Sequence, residues 1–244
     1  MAMTPSTPST PSTPSAPSTS SPLTAPSGTA ERIASTLRRQ ITAGEHPPGT
    51  RLSEEMLGAR LQISRNTLRE AFRLLSHDGL LMHELHRGVF VREPNEADLI
   101  DVFHLRRVLE CGVVRSLTRL GPERLTPLTD AVLAGQSAAE RDTWHEVGTA
   151  NIDFHQALVA LGGSRRADDT IRRLLAEVRL FFHVFPDPRE LFEPFLKRNA
   201  MLVDMLERGD MTAAADALET YLRDSENHVL QAYRRQPVDA GGRR

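Results

Sequence analysis

The sequence has little that would fit a secreted, membrane-bound or redox-active protein. Cys111 is the one cysteine among 244 residues, so no disulfide can form within the chain, which fits a reducing cytoplasm. Its apolar, helix-like surroundings favour a small buried side chain over a reactive thiol. No apolar run reaches the length of a membrane span, and the first residues lack the apolar core of a secretory signal. We therefore expect a cytoplasmic protein with no membrane partner.

The sequence also has little lysine and none of the common catalytic motifs. Lys197 is the only lysine, so nearly all of the 30 basic residues are arginines, and the formal net charge is −2. The number of arginines then says little about nucleic-acid binding, and only their positions can. The chain has no glycine-rich phosphate loop, no nucleophile elbow and no paired carboxylates in a pocket-like context. We therefore do not expect an enzyme.

Composition and periodicity divide the chain into four segments. Residues 1–28 repeat Thr, Pro and Ser with almost nothing to bury, which predicts a disordered tail with polyproline II character. Residues 29–93 are predicted to form a small domain of helices and short strands. Residues 95–235 are predicted to form a larger, all-helical domain, and residues 236–244 a second disordered tail. The predicted fold is therefore mainly α.

The stretch Ile63–Ala71 predicts a helix that reads DNA. Ser64 is a good N-cap, and the apolar residues after it recur at helical spacing. They are Leu68, Ala71, Phe72 and Leu75. Arg65, Asn66 and Arg69 then lie on the opposite, exposed side of the first turns. Arg and Asn can form paired hydrogen bonds with guanine and adenine edges, and a helix-turn-helix presents such groups at the N-terminal end of its second helix.

The flanking residues complete this pattern. A short amphipathic helix, Leu52–Leu61, is capped by Ser53 and precedes the reading helix across a tight turn. Asp78-Gly79 ends the reading helix with a glycine C-cap. Two short strands follow, with a basic tip between them. The strands are Leu80–Met82 and Val89–Val91, and the tip is His86-Arg87-Gly88. This order predicts a winged helix-turn-helix, and the alternative is a buried helical hairpin with incidental arginines.

Residues 31–94 resemble the winged-helix domain of the GntR family. The matching stretches are Pro47–Leu52, Ser64–Ala71, Leu75–Leu80 and Arg87–Val91. The second stretch departs modestly from the family pattern, with Asn-Thr-Leu in place of Thr-Pro-Val, and Glu55 replaces a family arginine that can touch DNA. The resemblance and the motif together assign DNA contacts to nine residues. They are Arg51, Ser64, Arg65, Asn66, Thr67, Arg69, His86, Arg87 and Gly88.

From Asn95 onward, helical periodicity and glycine or proline breaks predict six antiparallel helices around a central cavity. The helices are expected at about 95–120, 124–138, 141–161, 164–185, 188–208 and 211–235. This part resembles the FCD effector domain of the FadR-type branch of GntR regulators, in its shorter, VanR-like version. The resemblance rests on Leu105–Glu110, Asn151–His155 and Leu202–Asp210.

Many FCD domains hold a divalent metal through one aspartate and three histidines. By motif, those positions here are Asn151, His155, Asn199 and Tyr221. Only His155 is a strong ligand, since neutral amides bind metals poorly and one imidazole does not hold an ion. We therefore expect no metal or other cofactor, and expect the four side chains to hydrogen-bond an organic effector directly. The alternative is a satisfied polar network, with or without water, in a cavity that no longer senses a ligand.

Arg106 is the remaining effector candidate, because it lies among the inward-facing apolar residues of the first effector helix. A buried arginine needs an anion. Glu110, one turn on, could supply it, or Arg106 could clamp the carboxylate of a ligand through its planar guanidinium. Both possibilities remain open from the sequence.

The sequence thus predicts a ligand-responsive DNA-binding regulator that acts as a homodimer. We expect a repressor that leaves a palindromic double-stranded DNA operator when a small anionic metabolite binds. The short linker Arg92-Glu93-Pro94 should pass movement of the first effector helix to the DNA-binding domain. The alternative is a constitutive DNA-binding dimer whose helical domain serves only as a dimerisation scaffold.

Overall fold

The computed structural model describes residues 27–118, 120–185 and 187–235. The tail predicted at residues 236–244 lies outside the described residues, as does nearly all of the one predicted at 1–28. Residues 27 and 28 are described, and they already belong to the first helix, α1 (Ser27–Thr42). The prediction therefore placed the end of the tail two residues too far along the chain. No helix within the described ranges is long and apolar enough to cross a membrane.

The N-terminal part, here called the head, combines three helices with a small antiparallel sheet. The helices are α1, α2 (Glu54–Leu61) and α3 (Arg65–His77). The strands are β1 (Arg51–Leu52), β2 (Leu81–Glu84) and β3 (Gly88–Val91), in the order β1-β3-β2. This is the predicted winged helix-turn-helix.

Two boundaries in the head differ from the prediction. Leu52 was assigned to the second helix, but it lies in β1 opposite Val89. The reason is that Ser53 is an N-cap with extended backbone, so the residue before it is free to pair as a strand. The first hairpin strand begins at Leu81 and not at Leu80 as predicted, and both strands extend further towards the tip, because Glu84 and Gly88 pair directly at the end of the ladder.

The helical domain contains the six predicted helical segments. They are α4 (Glu96–Arg106) continued by a π-helical turn (Arg107–Cys111) and α5 (Gly112–Ser116); α6 (Pro122–Glu140); α7 (Trp144–Ala160); α8 (Arg165–Arg179) with a short 3-10 turn (Phe182–Val184); α9 (Pro188–Arg208); and α10 (Met211–Arg235). Asn95 is the N-cap of the first segment and forms a capping box with Asp98. The π turn was not predicted, because apolar periodicity over five residues does not distinguish it from an α-helix.

Cys111, at the end of the π turn, is buried, as the sequence predicted. Burial and the neighbouring Glu110 charge raise the pKa of its thiol to about 11. The thiolate, which is the nucleophilic form, is therefore scarce at neutral pH. This environment fits a packing role.

Helix α8 connects the two parts of the molecule. Leu180, directly after α8, is buried within the apolar core of the head. Arg92 of the linker forms ion pairs with Asp98 at 2.8 Å and with Glu177 at 2.6 Å. Arg179 donates from Nε to the carbonyl oxygen of Thr42, the last residue of α1, at 3.2 Å. The head is therefore held by α8 as well as by the linker on which the sequence-based prediction rested.

Candidate nucleic-acid interface and ligand site

The start of α3 is fixed by a side-chain cap. Ser64 Oγ accepts a hydrogen bond from the backbone N–H of Thr67 at 3.1 Å and lies 2.8 Å from Thr67 Oγ1. The cap satisfies one of the N–H groups that a helix leaves unpaired at its first turn. The inward face of α3 is buried in the head. Its outward face is thereby held in a fixed orientation.

Arg65, Asn66 and Arg69 lie on that outward face and are exposed. Among the residues that the structure describes, none of the three has a hydrogen-bond or ion-pair partner, whereas Arg73 further along α3 pairs with Glu70 at 3.2 Å. An unpaired guanidinium keeps all five of its N–H donors for a partner. The positive end of the helix dipole at the same place also favours a phosphate. This is the arrangement that the sequence predicted for base and phosphate recognition.

The wing is the hairpin of β2 and β3. His86 and Gly88 both have positive φ, at 60° and 111°, and glycine adopts such values without a steric cost. Arg51 of β1 lies beside Gly88, since a Cβ built on Gly88 would be 3.3 Å from Arg51 Nε. Arg87 pairs with Glu84, and its guanidinium lies 5.4 Å from the centre of the Phe90 ring. The wing therefore brings Arg51 and Arg87 together at its tip, with the charge of Arg87 partly neutralised.

A second set of polar side chains lies inside the helical domain, all buried except the half-buried Asn151, and is called the polar cluster below. Its members are Arg106, Glu110, Asn151, His155, Asn199 and Tyr221. They come from α4, the π turn, α7, α9 and α10. All five predicted effector residues meet there. Glu110 was foreseen only as a partner of Arg106.

The charged half of the cluster is centred on Glu110, which is fully buried. Arg106 donates from Nε to Glu110 Oε1 at 2.7 Å, and His155 Nδ1 lies 2.6 Å from Glu110 Oε2. Burial by itself would raise the pKa of Glu110, but Arg106 and His155 hold it below its ordinary value. Glu110 is therefore ionised at neutral pH.

His155 is neutral at neutral pH, because its own complete burial lowers its pKa more than Glu110 raises it. An ionised carboxylate can only accept, so the imidazole proton lies on Nδ1 and points to Glu110. His155 Nε2 is then an acceptor, 3.2 Å from the hydroxyl of Tyr221. The tautomer of His155 is thereby set by Glu110.

In the neutral half of the cluster, the hydroxyl proton of Tyr221 has two possible acceptors. Tyr221 donates to Asn151 Oδ1 at 3.0 Å, and Asn199 donates from Nδ2 to the same oxygen at 2.9 Å. Burial raises the pKa of Tyr221, so it keeps its single proton. That proton cannot serve Asn151 and His155 Nε2 at once. One of the two contacts therefore lacks a hydrogen bond in either arrangement.

Two atoms of the cluster have no partner at all within the described ranges. They are Arg106 Nη2 and Asn199 Oδ1, both buried. The ion pair expected between Arg106 and Glu110 is formed, but it occupies only Nε of the guanidinium. A buried donor or acceptor without a partner is costly. The cluster therefore offers one charged donor and one neutral acceptor to a ligand.

The space beside the cluster is small. The pocket lined by Arg106, His155 and Tyr221 has a volume of about 20 Å³, which is about enough for a single water. Phe182, Phe192 and Phe195 fill the surroundings. The prediction of an open central cavity was therefore wrong for this conformation, because periodicity identifies a buried helix face but not how completely large aromatic side chains fill the space between helices.

The donor set does not fit a divalent metal of the type found in many FCD domains. Glu110 is already shared by Arg106 and His155, which leaves His155 Nε2 with amide and phenol groups. No group of three or more His, Cys, Asp or Glu among the described residues could hold an ion. The expectation of direct contact with an organic ligand stays a prediction.

Comparison with known proteins identifies both parts of the chain. Residues 29–91 match the bacterial regulatory proteins of the gntR family, and residues 101–224 match the FCD domain. The transcriptional repressor RspR of Escherichia coli (strain K12) is 29% identical over 207 residues, covering 82% of this chain and 89% of that protein. The Nta operon transcriptional regulator of Aminobacter aminovorans is 31% identical over 166 residues, covering 66% and 77%.

A solved structure agrees with these matches. A GntR transcriptional regulator from Rhodococcus sp. RHA1 is 41% identical to this chain and superposes with a TM-score of 0.79, covering 84% of this chain and 99% of that one. The agreement extends over both the winged helix and the helical domain. The chain therefore belongs to the GntR family of DNA-binding transcriptional regulators, in the branch that carries an FCD domain.

Proposed function

We propose that this protein is a homodimeric cytoplasmic repressor that catalyses no reaction and leaves its operator when a small carboxylate binds to the polar cluster. The observation that carries the ligand class is the buried Arg106 Nη2, which has no acceptor among the described residues. A carboxylate is the acceptor that a guanidinium binds best, and a second N–H···O bond would complete its planar fork.

DNA binding is assigned to α3 and the wing. Arg65 and Arg69 contact base edges or phosphates from the capped end of α3, Asn66 can read adenine, and Arg51 and Arg87 contact the backbone from the wing. A dimer with two-fold symmetry presents two such heads to two half-sites, which makes the operator palindromic.

The ligand's effect reaches the head through α4 and the linker that α4 contacts. Arg106 lies at the end of α4, and Asp98 near the start of the same helix holds Arg92 of the linker. A ligand that binds Arg106 favours one position of α4 over another. Such differential contact with two states is what an allosteric ligand requires. Repression is supported by the name of the Escherichia coli relative, a transcriptional repressor.

The experiment uses the conservative variant Arg106→Lys, because lysine keeps a charge for Glu110 but lacks the second guanidinium nitrogen. Operator affinity is measured by fluorescence anisotropy with acetate, lactate, glycerate and succinate added in turn. We expect at least one carboxylate to weaken operator binding by the wild type, and expect Arg106→Lys to keep its operator affinity but lose that response. Arg107→Lys, which alters the neighbouring pair with Glu226, is the matched control and should respond normally. A normal response in Arg106→Lys would contradict the assignment.

A second function is favoured by the small volume beside the cluster. A pocket of about 20 Å³ admits no metabolite unless side chains move. The protein would then be a constitutive DNA binder with a dimerisation scaffold, and no carboxylate would change the operator affinity of wild type or variant.

A further inference from the structure

A larger cavity lies where the head meets the helical domain, and is called the junction cavity. Its volume is about 290 Å³, close to the lower limit of pockets that hold small organic ligands, about 300 Å³. Ile41, Ala43 and Pro48 line it from the head, and Leu180 and Phe185 from the helical domain. Unlike the pocket at the polar cluster, it has room for a ligand without any rearrangement.

One layer of side chains separates the two spaces. Phe182, Leu191 and Phe192 line both the junction cavity and the small pocket beside Arg106. The rings of Phe182 and Phe192 meet edge to face, with their centres 5.1 Å apart. The charge that can bind a carboxylate and the room that can hold a ligand are therefore adjacent but divided by two aromatic rings.

Phe192 is closely packed against α7 and also lines the junction cavity. A Cβ built on Gly148 of α7 would come within 2.5 Å of Phe192 Cζ, so the ring occupies space that only a glycine leaves free. The junction cavity borders the same side chain and gives the ring room to move. Rotation of Phe192 and Phe182 into that cavity would join the two spaces without unfolding a helix.

The junction cavity also contains the bond between Arg179 and the head. Arg179 donates from Nε to the Thr42 carbonyl oxygen at 3.2 Å and from Nη2 to Thr149 Oγ1 at 3.3 Å. No carboxylate lies within ion-pair distance of Arg179 among the described residues. A ligand body in this cavity would touch both walls and disturb this contact between head and helical domain.

We propose that the effector is an elongated carboxylate with an apolar body, whose carboxylate binds Arg106 while the body passes between Phe182 and Phe192 into the junction cavity. This rests on the role of Arg106 proposed above. The ligand then contacts the head directly, at Ala43 and Pro48. The affinity of the protein for this ligand then depends on whether the head is docked on the helical domain. A ligand can shift the position of the head only if it binds the two positions with different affinities.

The test measures ligand binding by calorimetry on the full chain, with 4-phenylbutanoate as the elongated probe and acetate as the carboxylate alone. Ala43→Phe fills the junction cavity from the head, and Ala213→Phe places the same side chain at an exposed site on α10. We expect 4-phenylbutanoate to bind at least tenfold more tightly than acetate. Ala43→Phe and Arg106→Lys should each weaken its binding at least tenfold, and Ala213→Phe should not.

The other outcomes overturn the inference in distinguishable ways. If only Arg106→Lys weakens the probe, the proposed function stands but the ligand does not reach the junction cavity. If only Ala43→Phe weakens it, the junction cavity is a separate site and the role of Arg106 fails too. If 4-phenylbutanoate binds no more tightly than acetate, or does not bind, the ligand class is wrong.

Discussion

The head and the helical domain place the arginines proposed to bind DNA and ligand in opposite environments. Arg65 and Arg69 are exposed on α3 and, among the described residues, have no partner. Arg106 is buried and tied to Glu110, which in turn holds His155. The first two can be changed one at a time without affecting the core. In the polar cluster, any change redistributes hydrogen bonds and charge over several helices, so stability and the proposed ligand response are linked there.

Removal of the central charge of the cluster should have the largest effect. Glu110→Gln leaves Arg106 buried without its anion, and breaking a buried ion pair in this way costs about 3–5 kcal/mol. We expect a loss of that size in the free energy of unfolding, measured by urea denaturation. Trp144, the only tryptophan, lies in α7 and reports on the helical domain.

Glu219→Gln is the matched control, because Glu219 pairs with Arg115 and Arg223 at the surface. Exposed pairs contribute little, so its unfolding curve should overlap that of the wild type. Equal and small effects of the two substitutions would show that the polar cluster does not act as a buried unit, and the contrast with the head would disappear.

Arg65→Ala should weaken operator binding and leave stability unchanged. Loss of a paired hydrogen bond to a base costs about 1–3 kcal/mol. Arg73→Ala on the same helix should lose less, because Arg73 already pairs with Glu70 and lies farther from the start of α3. Fluorescence anisotropy with operator DNA measures both. An effect of Arg73→Ala as large as that of Arg65→Ala would argue against recognition by the N-terminal end of α3.

The stability of the helical domain should fall as the pH drops below about 6.5. His155 has a lowered pKa in the folded state, so it binds a proton near its ordinary pKa of 6.5 only when the chain is unfolded. Its contribution is present above that pH and is lost as the pH falls, with a slope of at most about 1.4 kcal/mol per pH unit. The pKa of Glu110 is also lowered in the folded state, so the stability falls further as the pH drops below the ordinary pKa of 4.5.

Urea denaturation between pH 7 and 5.5 checks this dependence. His155→Gln should flatten it, whereas His145→Gln should not, because His145 is exposed. A wild-type stability that is constant or rises over this range would mean that His155 is protonated in the folded protein.

The smallest effect is expected at the wing. Arg87 already pairs with Glu84 and lies over Phe90, so Arg87→Ala should weaken binding to all DNA sequences alike. One phosphate contact fewer should reduce the slope of log affinity against log salt by about 0.9. Anisotropy titrations at several salt concentrations, with operator and unrelated DNA, measure this. A selective loss for the operator would instead indicate base reading by Arg87.

The two regions also differ in how far the sequence reveals them. Caps, a helix with one apolar face and a hairpin with a basic tip are local features, so the sequence predicted the head and the exposure of Arg65 and Arg69. The six helical segments of the helical domain were predicted in the same way, from the helical periodicity of apolar residues. Family motifs identified four of the residues that meet in the cluster, and the inward-facing position of Arg106 on α4 identified the fifth, although the five come from four different helices.

What the sequence could not predict depends on distances between helices. The double role of Glu110, the pairing of Arg92 with Glu177 and the contact of Arg179 with Thr42 join residues far apart in the chain. The junction cavity likewise lies between residues at the end of α1, residues that follow α8 and residues at the start of α9. A charged residue on a half-buried face of α8, such as Glu177, indicates in the sequence that α8 contacts another part of the chain. The sequence does not identify the partner of that residue.

Reading of the DNA sequence is assigned to the N-terminal end of α3. Its most direct test is sequencing of genomic fragments bound by purified wild type and by Arg65→Ala, prepared side by side. The predicted result is an inverted repeat for the wild type, and for the variant the same repeat with one position relaxed in each half-site. Identical preferences at every position, with equal affinity, would show that Arg65 does not read DNA and would contradict the assignment of α3 as the recognition helix.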